Sequence, residues 1–331
     1  MQILALYLKE YIEKRVNKKK QVIATMPGTD RSICKALELK GNKITRMPYD
    51  PEKSLKLDQE YDVIFNLCDG LEDDNNFVEF SALTAIEKTR IPFTGNNLKT
   101  IRLCNDKRNI KKTLVKNNIP TANFQIFKKP NQKLRSDMKF PLIVKPVCAD
   151  AAVGIYADSV VKNEKDLKQK IKRVLKTHQQ PAALVEEYIE GRDLIIPVMG
   201  KKKIKVLDPT ELRYMRSYEK RPKILSYGAK WDKGKPIYKD CITLVKNPKK
   251  RFSKKDRKLI NTIAKKVYKA VGCSGYATID ARLDKNGNIY VIEINPNCWI
   301  GPKSDTALTL EKNKNMTYPQ MIDKIVKIAL E

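Results

Sequence analysis

The chain has 331 residues, 41% of them hydrophobic, and its 67 Lys and Arg against 38 Asp and Glu give a net charge of +29. That length exceeds one typical core, so two or three domains are expected. The charge points to polyanionic partners, but lysine is spread along the whole chain. No zinc-finger spacing, RNP-type aromatic motif or basic-zipper heptad accompanies it, which disfavours nucleic acid.

The apolar opening Met1 to Leu8 reaches Lys9 and Glu10 too soon for a signal peptide or a membrane span, so a cytoplasmic protein is expected, without membrane contact. Residues 21–26 form a short β-type run. Pro27-Gly28 and a helical stretch from about Asp30 to Gly41 complete a βα unit. Tyr61 to Leu67 reads as a buried strand, the acidic loop Asp69 to Asn76 leads into an amphipathic helix from Phe77 to about Thr89, and Ile91 to Thr94 as another short strand. Residues 1–103 therefore suggest an open α/β domain with a parallel sheet.

Asn105-Asp106 caps a basic helix running to about Asn117. Lys107 lies in its first turn, unfavourable for a cation against the helix dipole unless an anion sits nearby. Phe140 to Pro146 is a strand in which Lys145 either snorkels outward or reaches an anion. Cys148 to Gly154 is a small-residue loop, and Asn163 opens a charged helix. Residues 104–181 fit a compact α+β unit. The only histidine, His178, sits in a polar stretch, which disfavours His-based catalysis. Seven scattered cysteines without a Cys-x-x-Cys pair argue against a disulfide framework and a structural zinc site.

The third unit, 182–331, holds the strand Ala182 to Glu187, a turn at Gly191, a long helix from about Ser253 to Val271, and a closing helix from Tyr318 to Leu330. Between the last two lies the richest segment, Tyr276 to Asn297. Asn286-Gly287 predicts a two-residue hairpin turn. Pairing outward from it sets Lys285 opposite Asn288 and Asp280 opposite Glu293. Thr278, Asp280 and Arg282 then share a face with Val291, Glu293 and Asn295. Like charges placed opposite one another are destabilising. A divalent cation with oxygen ligands removes that cost, and Mg²⁺ takes one or two carboxylates plus phosphate oxygens.

Six stretches in order carry a family resemblance: Asn105-Asp106-Lys107, Phe140 to Pro146, Val153-Gly154-Ile155, Val185 to Asp193, Gly228 to Trp231, and Gly275 to Asn297. The chain resembles the ATP-grasp superfamily, within it the D-alanine–D-alanine ligase-like carboxylate–amine ligases. The resemblance implies an ATP-grasp fold behind a pre-ATP-grasp α/β domain, and amide or peptide bond formation through an acylphosphate, on amino acids or small peptides. It implies ATP with Mg²⁺ or Mn²⁺, small carboxylate and amine substrates, and a homodimer in some relatives.

Carried over by position, Lys107 and Lys145 contact phosphates, and Gly154 belongs to the loop covering them. Glu186, Glu187, Tyr188 and Ile189 line the adenine pocket, and Asp193 binds ribose. Asp280, Glu293 and Asn295 hold the metal. Lys230, Trp231 and Ser304 fall at the mobile loop and the substrate end. Two departures stand out. The phosphate loop reads Asp150-Ala151-Ala152 where the family usually carries serine, and Thr278 occupies the position of the oxyanion arginine, with Arg282 as its expected replacement. The alternatives are an ATP-grasp kinase acting on a small molecule and a non-catalytic nucleotide- or nucleic-acid-binding protein.

Overall fold

In the computed structural model, residues 1–8, 28–69, 78–149, 151–245, 248–313 and 316–331 are described. The expected strand at 21–26 and most of the acidic loop lie outside them. The N-terminal part contains β1 (Gln2–Leu8), α1 (Thr29–Glu38), β2 (Lys43–Tyr49), β3 (Val63–Leu67) and α2 (Val78–Thr89). The strands form a parallel sheet in the order β2-β1-β3. The apolar opening run is thus the central strand, with Ile3 to Leu6 fully buried, as expected of a parallel strand covered on both faces. Ile91 to Thr94 contributes one bridge, Ile64 to Phe93, rather than a strand.

The middle of the chain holds α3 (Leu98–Cys104), α4 (Lys107–Lys116), β4 (Phe124–Phe127), β5 (Leu142–Pro146), β6 (Val160–Val161), α5 (Glu164–Thr177) and β7 (Ala183–Glu187). Asp106 caps α4 by accepting from the Arg108 N–H, and Asn163 caps α5. The strands pair antiparallel in the order β4-β7-β5-β6, with the apolar face of α5 packed beneath through Leu167, Ile171 and Val174.

Next come β8 (Arg192–Met199), β9 (Lys205–Val206), β10 (Thr210–Tyr214), α6 (Tyr227–Trp231), α7 (Pro236–Lys239), β11 (Cys241–Leu244), α8 (Pro248–Arg251), α9 (Lys254–Ala270), β12 (Tyr276–Leu283), β13 (Ile289–Asn295), α10 (Asp305–Lys312) and α11 (Tyr318–Ala329). Their antiparallel sheet runs β11-β10-β8-β12-β13, with β9 alongside β8. One face buries Ala277, Ile279, Ala281 and Leu283 of β12, and Leu194 and Ile196 of β8, against Ile260, Ile263, Ala264 and Val267 of α9. The other face is the floor of the cleft described below.

Two features cross the expected partition of the chain. Helix α11 packs on the N-terminal sheet: Met321, Ile322 and Ile325 share a core with Ile3, Val63 and Phe65. The chain's end thus completes the first sheet rather than extending the 182–331 unit. Asn96 is the second. Its buried amide donates to the carbonyls of Tyr276 (2.8 Å) and Pro296 (2.6 Å) and accepts from the Ser274 N–H (2.8 Å). The backbones meet so closely here that a Cβ on Gly275 would fall 2.2 Å from the Gly95 carbonyl oxygen. Asn96→Ala strands three buried backbone groups and is expected to cost about 3 kcal/mol, read as a lower denaturant midpoint.

Candidate active site

The hairpin β12–β13 sets the site. Asp280 does stand opposite Glu293, but by two compensating departures from the expected geometry. Leu283 pairs with Ile289, and the turn is a three-residue loop with Gly287 at φ 81°, braced by the Asp284 carboxylate accepting from the N–H groups of Asn286 and Asn288. A bulge at Ile292 then restores the Asp280–Glu293 pair. Between turn and bulge the faces exchange. Val291 lies in the core with Ala281, and Tyr290 takes the cleft side opposite Arg282, the reverse of the simple alternation.

Directly opposed residues on antiparallel neighbours point to one side, so the cleft floor reads as rows across the sheet. The first is Pro197, Thr278 and Asn295. The second is Thr210, Ile195, Asp280 and Glu293, and the third Leu212, Asp193, Arg282 and Tyr290. The cleft over them encloses about 320 Å³, roofed by residues from the β4-β7-β5-β6 sheet.

At the centre, Lys107 Nζ lies 3.2 Å from Glu293 and donates to the Ala149 carbonyl at 2.6 Å. Lys145 is buried, 2.8 Å from Glu186. Glu186 forms the base of the pocket rather than an open adenine edge: its carboxylate is clamped between Lys145 and Lys111, a residue the sequence reading missed. Lys111 is 1% exposed and also donates to Thr121 Oγ1 at 2.6 Å. Burial alone would raise the Glu186 carboxyl, but Lys111 and Lys145 outweigh it and hold it at about 2. The same burial lowers Lys111 below an ordinary lysine, with Glu186 opposing. The available signal was a lysine on the apolar stripe Ile110, Lys111, Leu114 of α4.

The metal candidates fit a hard dication. Burial and then the charge of Glu293 push Asp280 well above the ordinary carboxyl value. Glu293, which burial would also raise, is held down by Lys107 and Lys145. Two opposed carboxylates with the neighbouring Asn295 amide are a donor set that a cation with oxygen ligands would stabilise. Among the described residues no cluster of three His, Cys, Asp or Glu side chains forms a closed metal cage. An ion here would therefore keep positions for phosphate oxygens.

At one end, Glu187, Tyr188 and Ile189 line the cleft. The Glu187 side chain is tied to the Lys139 N–H at 2.9 Å. Arg282 is spent within its own row. It grips Asp193 with two hydrogen bonds, at 2.5 and 2.9 Å, donates to the carbonyls of Ile189 and Lys223, and lies 4.8 Å from the Tyr188 ring centroid. Thr278 is four residues away on the same strand, about 13 Å at the usual rise. Arg282 therefore cannot replace an oxyanion group at position 278. Asp193 is equally engaged, by Arg282 and by the Tyr214 hydroxyl, which limits what it can offer a ribose.

Across the top, Ala151 (φ 54°) and Ala152 (φ 64°) both adopt the left-handed conformation that costs alanine about 1 kcal/mol or more. The strain is held by contacts: the Trp231 indole donates to the Ala151 carbonyl at 2.9 Å, and the Tyr227 N–H to Ile155 at 2.8 Å. Gly154 has φ 76°, and a Cβ there would meet the Pro146 ring at 2.5 Å, so glycine lets the loop lie on β5. Lys230 is exposed at the rim. Ser304 is buried as the N-cap of α10, accepting from the Ala307 N–H, and the carboxylate that reaches the cleft is its neighbour Asp305, also missed.

The family model described as D-ala D-ala ligase C-terminus matches residues 114–327. The chain belongs to this family of ATP-grasp ligases. A D-alanine–D-alanine ligase of Pelagibacter ubique is 26% identical over 91% of this chain and 92% of its own length. An uncharacterised protein of Sinorhizobium fredii is 29% identical over 86% and 77%. The D-alanine–D-alanine ligase of Bacillus anthracis, solved with ATP, superposes with a TM-score of 0.72 at 20% identity, over 100% of this chain and 97% of that one, a likeness of fold. The protein is thus an ATP-dependent carbon–nitrogen ligase with the ATP-grasp fold. Among the described residues no helix is long and apolar enough to cross a membrane.

Proposed function

We propose that the ligase joins the carboxylate of one amino acid or small peptide to the amine of another, and that the row Asp280–Glu293 beneath Lys107 and Lys145 is where phosphoryl transfer occurs. The observation that carries this reading is the convergence of those four groups in one cleft. Lys107 and Lys145 bind and orient the triphosphate, while the main chain of 187–189 borders the base. Asp280, Glu293 and Asn295 would hold magnesium. When bound, it would neutralise charge on the phosphate oxygens, the main requirement of phosphoryl transfer.

The substrate carboxylate attacks the γ-phosphorus and ADP departs, giving an acylphosphate. The amine nitrogen then attacks the acyl carbon, phosphate leaves, and the nitrogen loses its proton. The strained Ala151–Ile155 roof, clasped by Trp231, excludes water that would hydrolyse the acylphosphate. The relatives' D-alanine is the first substrate to test, but Thr278, in place of the family's arginine, makes the far end of this cleft its own. The expected result is ADP and phosphate released in equal amounts only when an acid and an amine substrate are both present, and abolished by EDTA. ADP with a stable phosphorylated product and no free phosphate would overturn the ligase chemistry in favour of a kinase.

A further inference from the structure

We propose that an amino-acid substrate carries a second cationic group and that Asp305 is the specificity-determining residue that receives it; the assignment builds on the ligase reading above. Asp305 opens α10 and lines the cleft beside Trp299 and Thr306. Its Oδ1 accepts from Thr210 Oγ1 at 3.5 Å, the outer limit of a hydrogen bond. Thr210 shares the second floor row with Asp280, two strands or about 9–10 Å away, which sets Asp305 at the Thr210 end of that row. It is not a third member of that pair, since no such cluster forms among the described residues.

The charge inventory of the cleft gives the ligand class. Its lining cations are Lys107, Lys145, Lys230 and Arg282. The first two lie against Glu293 and Glu186, and Arg282 is locked on Asp193. Lys230, exposed at the rim, is not within ion-pair distance of Asp305, although its charge acts on that carboxyl and opposes the effect of burial. Asp305 is thus the carboxylate at this end that is not held in a close ion pair, and it offers an ammonium a partner. Burial pushes the Asp305 carboxyl up, a desolvation that a ligand cation would relieve. The α10 N-terminus favours the ionised form that such a ligand needs. Truncating one partner of such a charge pair typically costs tenfold or more in affinity.

The test is calorimetric titration of the full-length protein, held with a non-hydrolysable ATP analogue and magnesium. Ornithine is compared with norleucine, and 2,3-diaminopropionate with 2-aminobutyrate, each pair differing by an ammonium for a methyl. The wild type is expected to prefer one of the diamino acids by about tenfold or more. Asp305→Asn should reduce that preference to within about twofold while ATP-analogue affinity and melting temperature stay put, and Asp305→Lys should favour the side-chain carboxylate of 2-aminoadipate. No charge preference in the wild type, or one that survives Asp305→Asn, overturns the assignment. If the preference holds but no acid and amine pair releases ADP, the ligase reading fails and the binding assignment stands.

Discussion

Glu186→Ala is expected to destabilise the protein by about 3–5 kcal/mol, because it leaves the Lys111 ammonium buried without its counter-ion. At 1% exposure that ammonium has no route to water, and Thr121 and the Val291 carbonyl offer dipoles but no charge. Glu186→Gln keeps the shape and should lose less stability. It should also release Lys145 from its fixed position, raising KM for ATP more than it lowers kcat. The charge has a pH signature as well. The folded Glu186 carboxyl lies at about 2, below its ordinary 4.5, so its stabilisation is complete above 4.5 and is lost as pH falls towards 2. Urea midpoints measured across that window should fall in the wild type and flatten in Glu186→Gln. Parallel curves would show that the clamp contributes nothing as a charge pair.

Glu293→Ala is expected to reduce ATP turnover by about 10³-fold or more, with an unchanged far-ultraviolet circular dichroism spectrum. The side chain is a member of the opposed carboxylate pair and the contact of Lys107, so its loss removes a metal ligand and frees the lysine together. Turnover at the wild-type level would refute the role given to the whole row. Magnesium binding should strengthen as pH rises, because burial and the charge of Glu293 push the Asp280 carboxyl up, and it acts as a ligand only without its proton. Magnesium titrations at two pH values would show this directly.

What could be read from the chain follows the range of the interactions. The helix starts at Asp106, Asn163 and Ser253 were legible because a cap is made by residues three apart or fewer. The hairpin was legible for a similar reason, though the local alternation misassigned Val291 and Tyr290, because a bulge is decided by packing on neighbouring strands rather than by the turn. The family's order of motifs brought out Lys107, Lys145, Asp280, Glu293 and Asn295, and the structure gathers all five at one cleft. Arg282 was misread because its partner, Asp193, lies 89 positions away on the adjacent strand β8.

By itself, then, the sequence determined the long helices, their caps, the carboxylate pair and the superfamily, since all of these rest on local patterning or on motifs in order. Tertiary structure alone decided where buried charges and amides are spent: Lys111 on Glu186, Arg282 on Asp193, Asn96 on the backbone of Ser274, Tyr276 and Pro296, and Asp305 facing the cleft. A buried charge takes whichever counter-ion the packed sheets bring within hydrogen-bond reach, and that choice depends on strand order and register, which no short stretch of chain encodes.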